Sequence, residues 1–95
     1  MPFALILTPQ VEGVRAHPKL DAKKRNKITR CLAKLATDPA HPGLSSHRYT
    51  EIKGPLGEAI WESYVENHAP SAWRVWWFYG PGEGEITVVA VGPHP

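Results

Sequence analysis

The sequence predicts an α+β domain in which two N-terminal helices pack on one face of a small antiparallel sheet. Three observations predict it: helical periodicity is confined to the first 37 residues, alternating strand patterns fill the rest, and Pro/Gly-rich turns separate the segments. Because consecutive strands joined by short loops become antiparallel neighbours, the helices must cover one face of one sheet. With 95 residues for a single core, we expect one domain over residues 1–95.

The N-terminal part begins with an apolar segment, Phe3–Leu7, which predicts a short buried strand. Thr8-Pro9 then predicts a helix start, and His17-Pro18 ends this helix after one or two turns. A second helix is predicted from Pro18 to the Thr37-Asp38-Pro39 segment, with an apolar face that packs against the sheet. The neighbouring side of this helix carries five cations: Lys19, Lys23, Lys27, Arg30 and Lys34.

Four strands are predicted in the second part, over residues 47–52, 59–66, 73–79 and 85–91, and the tail from Gly92 leaves the last strand at once. Alternation gives the helix-facing side of the sheet one set of residues: Trp61, Val65, Trp73, Val75, Trp77 and Tyr79. The opposite side, which we expect to be open to solvent, carries Glu62, Tyr64, Glu66, Arg74, Trp76 and Phe78. Exposed aromatics beside a cation usually mark a binding surface, although a strand buried on both faces is the alternative.

Charge and composition limit the classes of protein to which this chain can belong. Residues 1–37 hold eight Lys/Arg against two acids, and residues 38–95 hold three against seven, so balances of +6 and −4 give the net +2. The basic helical part indicates a surface for a polyanion, or otherwise a solvated helix face. A single cysteine argues against a disulfide framework or a Cys-rich zinc site. With no membrane-length apolar run and no secretory leader, we expect a cytoplasmic protein.

Two histidines and one arginine are the candidate catalytic groups. The five histidines lack metal-ligand spacing, and a strand follows the glycine-rich residues 80–84, so neither a metal nor another cofactor is expected. His47 opens the first predicted strand of the sheet region and His94 follows the last, so both could reach a groove with Arg74 on its floor. Such a set suits RNA cleavage, in which a base deprotonates the 2′-OH, an acid protonates the 5′-oxygen, and a cation stabilises the phosphate.

Five segments, taken together, resemble the RelE/ParE toxin superfamily of bacterial type II toxin–antitoxin systems. They are residues 32–39, 42–48, 59–65, 73–79 and 86–94. The resemblance implies a small α+β toxin that an antitoxin holds inactive. RelE-like members are ribosome-dependent mRNA endonucleases, whereas ParE-like members poison DNA gyrase.

The resemblance to the RelE/YoeB/YafQ-like branch also implies residue roles. Arg74 matches the arginine that supports the scissile phosphate, and His94 matches a C-terminal histidine used as general acid or base. His47 falls near a basic or histidine position before the second strand. RelE has lysines on the strand before the arginine, where this chain has Glu62, Tyr64 or Glu66, so a lysine-based mechanism is not expected.

We therefore predict an mRNA interferase, a metal-independent endoribonuclease that uses the RNA 2′-OH, with His94, Arg74 and His47 as catalytic residues. RNA or partner binding is expected of Arg48, Lys53, Tyr64, Trp76 and Phe78 together with the five helix cations. The expected partners are an antitoxin, the ribosome and mRNA, without a membrane, and both a homodimer and a toxin–antitoxin hetero-oligomer stay open. The alternatives are a ParE-like gyrase inhibitor and a non-catalytic or degenerate toxin-fold binding module.

Overall fold

The computed structural model describes residues 2–67 and 71–94, so the predicted loop at 67–72 lies partly outside the described residues. Two helices precede most of the sheet: α1 (Pro9–Ala16) and α2 (Ala22–Thr37). The five strands are β1 (Ala4–Leu7), β2 (His47–Lys53), β3 (Ala59–Tyr64), β4 (Trp73–Tyr79) and β5 (Glu85–Pro93). A short 3-10 turn, Pro42–Leu44, lies in the predicted loop between α2 and β2.

The sheet has the strand order β1-β5-β4-β3-β2 and is mostly antiparallel. Short loops join β2 to β5 in series, which explains why these four strands pair antiparallel in chain order. β1 instead pairs parallel with β5, which is possible because no tight turn joins these two strands. The predicted α+β class with two helices on a small sheet is therefore confirmed, with one parallel pair at an edge.

Helix α1 spans eight residues and starts where Thr8-Pro9 predicted. Thr8 occupies the N-cap position, but its hydroxyl donates to the carbonyl of Val89 at 2.7 Å, so it joins the helix start to β5. The expectation of a buried first strand was wrong in part. Ala4 and Ile6 are exposed, because β1 is an edge strand covered by helices on one side only.

Helix α2 packs on the sheet through the predicted apolar face. Ile28, Cys31, Leu32 and Leu35 are all buried. The helix begins at Ala22, later than predicted, because a turn fills the residues between Pro18 and Asp21. The main core forms where this face meets the helix side of the sheet, on residues that include Val75, Trp77 and Val88. Tyr79, at the end of its strand, is exposed rather than part of this core.

β3 and β5 do not end at the residues that the sequence predicts. β3 stops at Tyr64, and the backbone N–H groups of Val65 and Glu66 both donate to the Trp73 carbonyl. This irregular pairing turns Glu66 toward α2 instead of leaving it on the face of Glu62. β5 runs two residues beyond its predicted end, because Gly92 and Pro93 stay in register with Arg74 and Trp73.

Candidate active site

The centre of the candidate site is the carboxylate of Glu62, whose side chain is 3% exposed. Alternation along β3 turns Trp61 and Ser63 toward the helices and turns Glu62 toward the opposite face. Glu62 lies directly across from His47 on β2 and from Trp76 on β4. A buried carboxylate is costly without partners, and the side chains around this one are cationic or can become so.

His47 makes the shortest contact with this carboxylate. Its Nε2 lies 2.8 Å from Oε1 of Glu62, and its Nδ1 lies 2.8 Å from the carbonyl oxygen of Ser45. Ser45 has a left-handed backbone, which ends the 3-10 turn and turns its carbonyl toward the ring. The imidazole is 48% exposed, so His47 forms a rim over the buried Glu62.

Arg74 lies on the floor of the same cluster, with its side chain 8% exposed. Its Nη1 is 3.7 Å from Oε1 of Glu62, and its guanidinium lies 3.9 Å from the centroid of the Tyr64 ring. Tyr64 is the cross-strand partner of Arg74, so the stacking follows directly from the β3–β4 register. A cation over an aromatic face is stabilised by the ring quadrupole, which helps to hold Arg74 in place.

His94 reaches the cluster from the C-terminal end of β5. Its backbone N–H donates to the carbonyl of Ala72 at 3.1 Å, which continues the antiparallel pairing past Pro93. Its Nε2 then lies 3.6 Å from Oε2 of Glu62, and its side chain is 38% exposed. The expectation that the tail leaves the strand at Gly92 was wrong, and the continued pairing is what brings His94 to Glu62.

Trp76 and Phe78 do not form the exposed aromatic surface that we expected. They are only 8% and 5% exposed and pack with the fully buried Ile60. Side chains from other strands, Tyr49 of β2 and Val89 of β5 among them, pack against these residues. This face of the sheet therefore has a small core of its own, to which β2, β3 and β5 contribute side chains beside those of β4. The alternative of a strand buried on both faces describes β4 correctly.

Three of the five helix cations line one groove. Lys27, Arg30 and Lys34 line a cavity of about 160 Å³ together with Tyr64 and Asn67. Tyr64 belongs both to this groove and to the Glu62 cluster, so the two sites adjoin. Lys19 does not line this groove, since it precedes α2 and lines an apolar groove beside α1.

The remaining predicted contact residues lie away from the cluster. Lys23 is exposed on the first turn of α2 and is not among the residues that line the groove. Arg48, next to His47, points to the other side of the sheet, with its guanidinium 5.7 Å from the Trp61 ring centroid. Lys53 is at the far end of β2, beside the turn to β3.

Glu66 and Cys31 also line this groove. Glu66 binds Lys24 at 2.8 Å and Lys27 at 3.3 Å, and these bonds, with Lys24 first, hold the pKa of its carboxyl below the usual value. Burial raises the pKa of the Cys31 thiol to about 12, against the opposing charge of Lys34, so this cysteine is inert core. Among residues 2–67 and 71–94, no group of three or more His, Cys, Asp or Glu could hold a metal ion.

Comparison with known proteins identifies the fold. No protein-family model and no curated protein matches the chain. A chain of the crystal structure of the archaeal RelE–RelB complex from Pyrococcus horikoshii OT3 superposes with a TM-score of 0.70, and the match covers 98% of this chain and 96% of that one. The chain has a RelE-like fold. Only 12% of residues are identical, so the likeness concerns the architecture and leaves the site residues to be argued from this chain.

Sequence reasoning named His47, Arg74 and His94, and the structure brings these three side chains to one carboxylate. Sequence reasoning did not identify Glu62, the carboxylate at which the three side chains meet. Alternation assigns Glu62 to the correct face of the sheet but does not mark it as a functional group. The available signal was the lone acid of β3, which lies opposite a histidine once the strands are paired.

Proposed function

We propose that this protein is the toxin of a toxin–antitoxin pair and cleaves mRNA on the ribosome as a metal-independent endoribonuclease. The observation that carries the proposal is the convergence of His47 from β2, Arg74 from β4 and His94 from the residue after β5 on the buried carboxylate of Glu62. Groups that transfer protons and a cation that binds phosphate are the minimum set for cleavage by the adjacent 2′-OH.

The proposed reaction uses the nucleophile that RNA itself contains. One imidazole takes the proton of the 2′-OH as the 2′-oxygen bonds to phosphorus, and the other supplies the proton that the 5′-oxygen needs as its bond to phosphorus breaks. Arg74 stabilises the negative charge that builds on the phosphorus oxygens, from a buried position that strengthens the interaction. The products are a 2′,3′-cyclic phosphate and a 5′-hydroxyl.

The cation groove supports RNA as the substrate class. Lys27, Arg30 and Lys34 line a surface that meets the Glu62 cluster at Tyr64, so a phosphate backbone lying along the groove leads to Arg74. Binding through phosphates releases counterions, and we expect affinity for ribosomes to fall as salt rises.

An antitoxin partner is proposed from the fold. The chain with the same architecture comes from the crystal structure of a RelE–RelB complex. In the part of the chain that the structure describes, no helix has the length and apolar character needed to cross a membrane. We propose that the active protein meets the ribosome and mRNA in the cytoplasm, and that the complex with the antitoxin is the stored form.

The test is cleavage of mRNA on programmed ribosomes, mapped by primer extension. We expect Arg74→Ala and His94→Ala each to lower the cleavage rate by about 100-fold or more. His17→Ala is the matched control, because this exposed histidine lies between the two helices, outside the cluster. Circular dichroism checks that each variant is folded. Full activity in both site variants would overturn the proposal, and inhibition of DNA supercoiling with intact mRNA would favour the gyrase alternative.

A further inference from the structure

We propose that Glu62 gives the two histidines different roles. It holds His47 as a protonated imidazolium that acts as the general acid, and it leaves His94 to act as the general base. This inference rests on the proposed RNA cleavage and adds to it a division of labour and a positioning residue on β3. The argument comes from the hydrogen bonds of the two rings.

Both ring nitrogens of His47 face groups that only accept hydrogen bonds. Nδ1 is 2.8 Å from the Ser45 carbonyl, and Nε2 is 2.8 Å from the Glu62 carboxylate. A neutral imidazole has one N–H and satisfies one of these acceptors, whereas the imidazolium has two and satisfies both. The bond to Glu62 is then charge-assisted, and it compensates the buried carboxylate.

The two N–H groups of His47 are not equivalent. The bond to Glu62 is partly buried, and the bond to Ser45 is exposed. A substrate oxygen can therefore replace the Ser45 carbonyl at Nδ1 while Glu62 keeps Nε2 and the ring orientation. Glu62 acts through His47 in the manner of a carboxylate that orients a catalytic histidine. The proton for the 5′-oxygen comes from Nδ1.

The Nε2 atom of His94 is not held by Glu62 in this way. Its Nε2 is 3.6 Å from Oε2 of Glu62, beyond ordinary hydrogen-bond distance. Its backbone is fixed by the bond to Ala72, while its ring can hold the lone pair that a base requires. In the reaction the 2′-OH proton passes to His94 and the 5′-oxygen takes a proton from His47. His94 ends protonated, His47 ends neutral, and exchange with water restores both.

Several charged or titratable groups surround His47. Glu62 and Tyr64 face it from β3, Arg74 lies behind Glu62 on β4, and His94 approaches from the end of β5. Arg48 is its neighbour in sequence but lies toward Trp61, on the other side of the sheet. Glu62 is the one anion in this set, so its removal should leave the guanidinium of Arg74 as the only permanent charge in the set and favour the neutral ring.

The first test measures protonation and needs no RNA. Nitrogen-15 NMR of the histidine rings at neutral pH should show both nitrogens of His47 protonated in the wild type. In the isosteric Glu62→Gln variant, the ratio of the doubly protonated to the neutral form should fall about tenfold, while that of His17 stays the same. A neutral His47 in the wild type, or an unchanged ratio in a folded Glu62→Gln protein, would overturn the proposal.

The second test separates acid from base by the leaving group. An mRNA with a bridging 5′-sulfur at the mapped cleavage position has a thiolate leaving group, which needs no general acid. His47→Ala and Glu62→Gln should lose about 100-fold on ordinary mRNA and regain most of that loss on the sulfur substrate, whereas His94→Ala should stay impaired on both. Because His47 is on the rim, its variant tests the acid even if Glu62→Gln does not fold.

The two tests fail in distinguishable ways. Equal losses on both substrates in His47→Ala would overturn the acid assignment while RNA cleavage itself stands. No cleavage of either substrate by the wild type would overturn the proposed function, together with the roles of acid and base. The NMR result would still show whether Glu62 fixes the charge of His47.

Discussion

Replacing Glu66 by glutamine should destabilise the protein in a way that depends on pH. Glu66 joins α2 to the sheet, since one carboxylate oxygen accepts from Lys24 at 2.8 Å and from the backbone N–H of Trp73 at 3.0 Å. The other oxygen accepts from Lys27 at 3.3 Å. Lys24 also lies 4.7 Å from the centroid of the Trp73 ring, which fixes its position.

The expected loss follows from these contacts. Hydrogen bonds to charged groups contribute about 1.5–3 kcal/mol when well formed, and exposed ion pairs contribute about 0–1 kcal/mol. The Lys24 bond is partly buried, with 23% and 20% of the two side chains exposed, whereas Lys27 is 46% exposed. Glutamine keeps an acceptor for Trp73 but loses the negative charge. We expect the free energy of unfolding at neutral pH to fall by about 1–2 kcal/mol.

The pH dependence follows from the pKa of Glu66, which its bond to Lys24 lowers in the folded state. A carboxyl with a lowered folded pKa stabilises the protein above its unfolded pKa, and this contribution is lost as the pH falls through the folded value. The difference between wild type and Glu66→Gln should therefore be full at neutral pH and vanish in strong acid. Urea denaturation at a series of pH values measures it.

The exposed Glu83 provides the control. It lies in the hairpin loop between β4 and β5, so Glu83→Gln should leave stability unchanged at every pH. A Glu66→Gln variant as stable as the wild type at neutral pH, or one whose deficit persists in strong acid, would refute the reasoning.

Three further predictions concern the core and the cation groove. Ser63→Ala should lower the free energy of unfolding by about 1–3 kcal/mol, because it leaves the Trp77 indole N–H, now bonded at 2.8 Å, unpaired in the core; unchanged urea denaturation would contradict this. Cys31, whose pKa burial raises to about 12, should react with iodoacetamide only after unfolding, and rapid labelling of the native protein would count against it. Arg30→Ala and Lys34→Ala should each reduce the slope of log affinity for ribosomes against log salt by about one, and an unaltered slope would rule out a phosphate contact.

The element types could be predicted because they depend on neighbours in the sequence. Capping and proline signals identified α1, and periodicity identified α2 and its apolar face. Four of the five strands begin at the predicted residue. The ends of β3 and β5 could not be predicted, since they depend on which backbone groups the partner strand offers. Tyr64 is the last residue of β3 because the next two N–H groups share one carbonyl of Trp73.

The burial of the second face of the sheet also could not be predicted from the sequence. Alternation placed Trp76 and Phe78 on the face opposite the helices, and that placement holds. Whether a face is covered depends on side chains from other strands, here those of Ile60, Tyr49 and Val89. A pattern of period two cannot report on such contacts, because it describes one strand at a time.

By itself the sequence determined the helices, the strands and the side of the sheet to which side chains within the strands point, because these follow from local backbone geometry. Only the tertiary structure decided that Glu62 is the meeting point of His47, Arg74 and His94. Those residues are far apart in the chain, and their distances are set by strand order, by cross-strand register and by the pairing that carries the tail past Pro93. Long-range pairing of this kind is a property of the whole sheet.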